Sequence, residues 1–313
     1  MTLIRTTLLG TSAAQPTLRR GLSSISVQAF GEHLLFDCGE GTQRQMLRFG
    51  VGLRLDSVFF THFHADHYLG IIGLIRTLSM GGQVQPLNIY GPAPFVTQTL
   101  PRLIRTGAEH LSLEPEFYPL EDGDVVRRPH YSVRAVQALH RVPTLSYVLE
   151  QHPRPGRFDV ARALSLGVPR GPLFKQLQDG RPVRSERGEW VKPEQVLGPP
   201  RHGVKLCFSG DTRPTEALAH AATAADVLVH EATFSQNEQE RALYTQHSTA
   251  FEAGEIAQRA GVGRLVLTHF SSRYDNSPKT LVAEARRSFS GPVVAADDGY
   301  SFELPEPLPH ETE

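Results

Sequence analysis

The residues best placed to do chemistry are His62-Phe63-His64-Ala65-Asp66-His67. They directly follow Asp56-Ser57-Val58-Phe59-Phe60-Thr61, a run that reads as a strand buried on both faces. In extended backbone, residues two apart point to the same side, so His62 and His64 can grip one ion together. Asp66 and His67 then fall at the turn into the next helix, facing a second position close by. Imidazole and carboxylate donors together favour zinc or a similar first-row divalent ion. The plain alternative is four unrelated polar residues in a loop. The HxHxDH spacing, set between a buried strand and a Gly-containing helix, argues against it.

The same arrangement recurs down the chain. Val136-Gln137-Ala138-Leu139 ends in His140, and Leu206-Cys207-Phe208-Ser209-Gly210 ends in Asp211. Val227-Leu228-Val229 ends in His230-Glu231, and Leu265-Val266-Leu267-Thr268 ends in His269. Five apolar strands thus each deliver a metal-type or acid/base side chain at the carboxyl end, where active sites collect. Five histidines with Asp66 and Asp211 are too many for one tetrahedral zinc and suit two ions, one carboxylate bridging.

The elements that must hold these residues are legible as short apolar runs parted by Gly/Pro turns and longer helical patterns. Residues 24–37 and 56–61 read as strands, 69–78 as a helix with Gly70 and Gly73 on a packed face, and 87–90 as a strand. Residues 93–105 read as helical and 116–150 as a run of strands. The last third alternates: strands at 204–208, 226–229, 264–268 and 292–296, with helices at 214–222, 249–260 and 278–289. Strand-rich and helix-rich stretches on one chain predict a layered α/β sandwich.

Composition bounds the rest. The 313 residues carry 32 Lys+Arg against 33 Asp+Glu, with 40% hydrophobic and 21% charged residues, which excludes disordered, collagen-like and coiled-coil chains. Cys38 and Cys207 are the only cysteines; each ends an apolar run and reads as a buried thiol of a reducing compartment. No signal peptide is visible, since Arg5 interrupts the first apolar stretch. The most membrane-like segment, 68–80, is short and carries Arg76, so a cytoplasmic protein without membrane contact is expected.

The near-zero net charge hides a local bias. From Gln151 to Arg187 the strand pattern lapses and basic residues accumulate: Arg154, Arg157, Arg162, Arg170, Lys175, Arg181, Arg184 and Arg187 against Asp159, Asp179 and Glu186. This is a solvated insertion or a contact for a polyanion.

These motifs resemble the ribonuclease Z family of the metallo-β-lactamase superfamily, over nearly the whole chain. The superfamily motif His62-Phe63-His64-Ala65-Asp66-His67 is joined by His140, Asp211 and His269, and by the more diagnostic His230-Glu231-Ala232-Thr233 and His247-Ser248-Thr249. Gly10-Thr11, Asp37-Cys38-Gly39-Glu40-Gly41-Thr42 and Thr268-His269-Phe270-Ser271-Ser272-Arg273-Tyr274 are similar too, as is Gly171-Pro172 within the insertion. The stretch Pro16-Thr17-Leu18-Arg19-Arg20-Gly21 departs: Leu18 and Gly21 stand where the family often carries Lys and Asn.

The resemblance implies a single four-layer αββα domain over residues 1–313, with a protruding arm inserted at about 151–190. It implies a dinuclear-zinc endoribonuclease that removes the 3′ trailer from precursor tRNA, leaving a 3′-hydroxyl and a trailer 5′-phosphate. It also implies a homodimer whose arms serve the partner's site. His62, His64, His140 and Asp211 would hold one zinc, and Asp66, His67, His269 and the bridging Asp211 the other; Mn²⁺ or another divalent ion is a possible substitute in vitro. Asp66 is implied as the base for the attacking water, and Glu231 with His247 as the source of the proton for the leaving oxygen. For His247 the alternative is a place beside the capping box Thr249-Ala250-Phe251-Glu252; for Glu231 it is a strand-end ion pair. Arg273 reads as a phosphate clamp, Arg170, Gly171, Pro172 and Lys175 as contacts of the arm with RNA, and Asp37 and Glu40 as turn-formers. The rivals are a small-molecule phosphodiesterase or thioester hydrolase on the same fold, and a non-catalytic RNA-binding protein.

Overall fold

The computed structural model describes residues 3–106, 110–153, 155–275 and 278–304; Arg154 of the basic segment lies outside them. The chain forms two compact units, Met1–Leu149 with Val204–Glu313, and Glu150–Gly203.

In the larger unit β1 (Ile4–Gly10), β2 (Ser24–Ala29) and β3 (Glu32–Phe36) form an antiparallel meander. The 24–37 run is therefore a hairpin rather than one strand, because Phe30 and Gly31 take left-handed backbone (φ 56° and 84°) and reverse the chain. After α1 (Thr42–Arg48) the chain enters β4 (Ser57–Phe59), the short α2 (Ala65–Tyr68) and α3 (Gly70–Met80). β5 (Leu87–Pro92), α4 (Phe95–Gln98), α5 (Leu100–Thr106) and β6 (Pro115–Leu120) follow, so the helix expected over 93–105 is two short ones. Strands β3 to β6 pair in parallel.

The second sheet begins with β7 (Val125–Arg127), β8 (Tyr131–Gln137) and β9 (Leu145–Gln151). The smaller unit then supplies α6 (Val160–Ser165), α7 (Pro172–Gln178) and the pair β10 (Val183–Arg184) and β11 (Trp190–Val191). Its own core is Ala163, Val168, Leu177, Val183, Val191 and Val196, and it runs past 190 to Gly203. Over 150–203 there are ten Lys+Arg against six Asp+Glu, less basic than the 151–187 stretch alone. Where the unit closes, a Cβ on Gly203 would lie 1.8 Å from the Gln151 carbonyl oxygen, so only glycine lets its two ends meet this closely.

The chain returns through β12 (Lys205–Phe208), α8 (Glu216–Ala221), β13 (Val227–Glu231), α9 (Gln239–Thr245), α10 (Ala250–Ala260), β14 (Leu265–Thr268), α11 (Lys279–Ser288), β15 (Val293–Ala295) and β16 (Ser301–Leu304). β12 to β15 are parallel. β16 crosses back to the first sheet and pairs antiparallel with β1, Ile4 against Leu304. Strands β1 and β16 and helix α9 are absent from the sequence-based list of elements.

Alternation along the strands explains the layers. Phe36, Phe59, Tyr147, Phe208 and Val229 point between the two sheets and form the central core. Leu35, Val58 and Phe60 point the other way, onto Ile71, Leu74, Ile75 and Leu78 of α3. Cys207, Leu228 and Leu267 face Leu218 of α8 and Ala253 and Ile256 of α10. The larger unit is thus an αββα sandwich. Both cysteines are buried, and burial pushes the Cys38 thiol up, with the Thr42 hydrogen bond opposing it. No helix among the described residues is long and apolar enough to cross a membrane.

Candidate metal centre

The strands of the two sheets end at one place. β4 leads to His62 and His64, and α2 carries Asp66 and His67. The turn after β8 carries His140, while the carboxyl ends of β12, β13 and β14 carry Asp211, Glu231 and His269. Two close approaches fix this. A Cβ on Gly39 would lie 2.5 Å from the Asp66 carbonyl oxygen, so α2, which bears Asp66 and His67, sits directly on the turn after β3. Gly210, at φ 59°, would place a Cβ 2.8 Å from the Thr61 side chain, so only glycine brings Asp211 against His62.

The donor atoms converge. His62 Nε2 lies 3.0 Å from His64 Nδ1, and His140 Nε2 lies 3.2 Å from the same atom. Asp211 Oδ2 is 3.5 Å from His62 Nε2 and 3.4 Å from His67 Nε2. On the other side His67 Nε2 is 3.3 Å from His269 Nε2, and Asp66 Oδ2 is within 3.6 Å of both rings. Asp211 Oδ1 is 3.3 Å from His269 Nε2, so Asp211 faces both groups. Among the described residues, three sets have donors close enough to share an ion: His62, His64, His140 and Asp211; Asp66, His67 and His269; and Asp211, His247 and His269.

The outer ring nitrogens show which way the protons point. His67 Nδ1 donates to Asp37 Oδ2 (2.8 Å), and His140 Nδ1 to the Gln246 carbonyl (2.8 Å). The Thr61 hydroxyl gives its one proton to Asp37, so it accepts from His62 Nδ1 at 3.0 Å. The Thr233 hydroxyl likewise gives its proton to Glu231 and accepts from His269 Nδ1 at 2.9 Å. Four imidazoles therefore turn Nε2 inward, the nitrogen that binds a metal once it carries no proton. Burial holds His62, His64 and His140 below the ordinary imidazole value. For Asp66, burial works against the anion, but His67 and His269 outweigh it and hold the carboxyl low.

This donor set fits divalent cations. Ring nitrogens face ring nitrogens at 3.0–3.3 Å, and Asp211 Oδ1 is buried without a hydrogen-bond partner; a cation between the groups satisfies them.

Asp37 is more than a turn-former. Its carboxylate binds the Thr61 backbone N–H (2.8 Å) as well as His67, and its left-handed backbone (φ 58°) aims it inward. Its place directly after an apolar run, at the end of β3, was the available signal. Replacing Asp37 with alanine should weaken metal affinity about 10- to 100-fold. Competition against a chromogenic chelator would measure this, and unchanged affinity would return Asp37 to the turn alone.

Glu231 is 1% exposed and fully engaged. Oε1 accepts from the Thr212 N–H (2.7 Å) and His247 Nδ1 (3.0 Å), and Oε2 from the Thr233 hydroxyl (2.5 Å). Burial opposes a charged His247, but Glu231 and Asp211 outweigh it and raise its pKa to about 9. The capping box of α10 is present as well, Glu252 accepting the Thr249 N–H at 2.8 Å. Glu252 also pairs with Arg213, whose Nη1 donates to the His247 carbonyl at 2.5 Å. Arg213 thereby ties His247 to the strand end that bears Asp211. Arg213→Met should lower turnover at this site about 10-fold, since it frees the backbone that places His247; an equal fall in metal content would instead make it a support of the ligands.

A cleft of about 550 Å³ opens over these groups, lined by Gln15, Asp66, Asp211, Phe234, Arg241, His247, His269 and Arg273. Arg273 stands on its wall but is paired with Glu238 (3.1 Å). Arg20 is turned inward, donating to Thr11, the Ala296 carbonyl and Asp297, so it anchors its loop, while Leu18 at the tip is fully exposed. Glu40 is exposed and outside the donor groups. In the smaller unit Arg170, Gly171, Pro172 and Lys175 are all exposed at the start of α7, and Lys175 is paired with Asp179 at 2.8 Å.

The chain is similar to known proteins in sequence and in fold. A family model described as Anti-Pycsar protein Apyc1 matches residues 4–149. The Ribonuclease Z of Myxococcus xanthus (strain DK1622) is 56% identical over 305 residues, covering 97% of this chain and 99% of that protein. Among solved structures, the short form of human tRNase Z has a TM-score of 0.65 and 25% identity, over 95% of this chain and 98% of that one. The metallo-beta-lactamase fold protein YhfI from Bacillus subtilis has a TM-score of 0.69 and 18% identity, over 97% of this chain and 100% of that one.

Proposed function

The chain belongs to the ribonuclease Z family, and from that premise we propose that it removes the 3′ trailer from precursor tRNA by hydrolysis, using two zinc ions. It is a metal-dependent endoribonuclease that acts on tRNA. The observation that carries the finer reading is the His247–Glu231 pair, 3.0 Å apart, on the cleft beside two donor groups that share Asp211.

His62, His64, His140 and Asp211 would hold one ion, and Asp66, His67, His269 and Asp211 the other. When bound, such a pair supplies a nucleophile at neutral pH and neutralises charge on the phosphate oxygens. The chain's own residues do the rest. Asp66, fixed by the Ala14 N–H at 2.8 Å, takes a proton from the attacking water as its oxygen bonds to phosphorus. The bond from phosphorus to the ribose 3′-oxygen breaks in line, and His247 gives that oxygen its proton. With Nδ1 committed to Glu231, His247 serves the cleft through Nε2, and the raised pKa keeps the ring protonated near neutrality. The products are a tRNA 3′-hydroxyl and a trailer 5′-phosphate.

The smaller unit holds the RNA by phosphate contacts and shape, as duplex RNA offers side chains little readable sequence. Arg170, exposed before α7 and with no ion pair among the described residues, is a stronger contact than the paired Lys175. Arg273 reaches phosphate by exchanging Glu238 for it. A homodimer in the cytoplasm completes the proposal.

Purified protein incubated with a 3′-extended precursor tRNA, with and without chelator, tests it. A single chelator-sensitive cut leaving a 3′-hydroxyl is the expected result. An intact precursor beside hydrolysed bis(p-nitrophenyl) phosphate would replace the reading with that of a small-molecule phosphodiesterase.

A further inference from the structure

Three exposed hydrophobic side chains crowd the rim of the site, next to residues that could not be more central to it. Leu139 precedes His140, and Leu243 and Tyr244 lie at the end of α9, just before His247; their exposures are 50%, 55% and 78%. Packing explains none of them. The two segments are tied together, since His140 Nδ1 donates to the Gln246 carbonyl. Arg141, exposed and next to His140, lays its guanidinium over the Tyr244 ring at 4.8 Å and donates to the Tyr244 carbonyl. The metal centre and its proton donor require none of this. An aromatic ring with an arginine fixed against it, exposed beside a phosphodiester site, is what an unpaired nucleotide needs: a face to stack on and a cation for its backbone.

The chemistry also says which nucleotide. His247 protonates the 3′-oxygen that leaves, so the chain around His247 faces the nucleotide on the 5′ side of the cut. Tyr244 is three residues from His247, within about 11 Å along the backbone. Arg241 and Thr245 of the same helix line the cleft itself, and Tyr244 stands three residues after Arg241, on the adjoining flank of α9.

We propose that Tyr244 and Arg141 form a platform that stacks the base immediately 5′ of the scissile phosphate and pairs with its backbone. This rests on the endoribonuclease reading above and adds to it a base-stacking subsite on the leaving-group side. The platform is indifferent to which base it carries, because every base has a π-face, but it favours purines through their larger overlap.

The test is a cycle of enzyme and substrate changes on the full-length protein. Tyr244→Ala should lower kcat/KM on an intact precursor roughly 5- to 150-fold, with metal content and melting midpoint as in the parent, and Tyr244→Phe should recover the loss. A precursor abasic at the nucleotide 5′ of the cut should slow the parent by a similar factor, and on that substrate Tyr244→Ala should add little. Arg141→Ala should lower kcat/KM and flatten its salt dependence. A Tyr244→Ala loss equally large on the abasic precursor, or no loss on the intact one, overturns the platform. If the parent itself leaves the intact precursor uncut, the endoribonuclease reading has failed, whatever the variants do.

Discussion

Replacing His247 with alanine should leave both metal positions filled and slow precursor tRNA cleavage about 10²- to 10⁴-fold. The size follows from the leaving group. A ribose 3′-oxygen departs poorly without a proton, and the geometry gives one ring to supply it, held at 3.0 Å by Glu231 and raised to about 9 by the surrounding carboxylates. The loss should be much smaller on bis(p-nitrophenyl) phosphate, whose phenolate leaves unaided. Metal analysis decides the competing role, because His247 Nδ1 also lies 3.8 Å from Asp211. A variant that loses an ion would move His247 into the ligand set. Glu231→Gln should resemble His247→Ala in sparing metal and slowing RNA cleavage.

The second large effect concerns the smaller unit. Joining Gln151 to Gly203 through a short glycine linker should cut kcat/KM for precursor tRNA by at least about 100-fold, while bis(p-nitrophenyl) phosphate is still hydrolysed. Every donor of the metal centre, with Glu231 and His247, lies in the other unit, so the hydrolytic groups survive the excision. The ends to be joined already touch at the Gln151 carbonyl, so little loop-closure entropy opposes the join. Equal loss on both substrates would mean that the unit supports the fold rather than holds RNA. A gentler version reverses charge. Arg170→Glu should weaken binding and lower its salt slope by about one, more than Lys175→Glu, whose cation already spends itself on Asp179.

Why the metal centre was legible, and what surrounds it was not, has a physical basis. His62, His64, Asp66 and His67 announce themselves because a strand's period of two and a following helical turn bring adjacent residues together. His140, Asp211 and His269 could be read because each ends an apolar run. Both signals are local. Asp37, Thr233 and Arg213 act through partners as much as 39 residues away, so their roles belong to the packing of distant segments and not to any spacing. The same holds for the fold. β1 and β16 pair across nearly the full length of the chain, and helix α9 is held against the strand ends rather than by an amphipathic run of its own. Tyr244 looked unremarkable in sequence; its exposure and its partner Arg141, 103 residues away, are what single it out.

The left-handed backbone at Asp37 and His269, φ 58° at both, sets durability against activity. An L-residue in that conformation costs roughly 1–2 kcal/mol, and glycine is free of it. At His269 the ring's burial and its Thr233 hydrogen bond oppose that gain, but selection for heat resistance alone places no demand on the metal-facing nitrogen, so a library can exchange the residue for glycine. It would collect long-lived proteins that had lost the centre. Only a screen that also demands cleavage keeps the strained residue. Survival of the fold is thus a poor guide to whether the catalyst survives, and thermal hardening of this scaffold has to begin elsewhere, on surfaces distant from the strand ends.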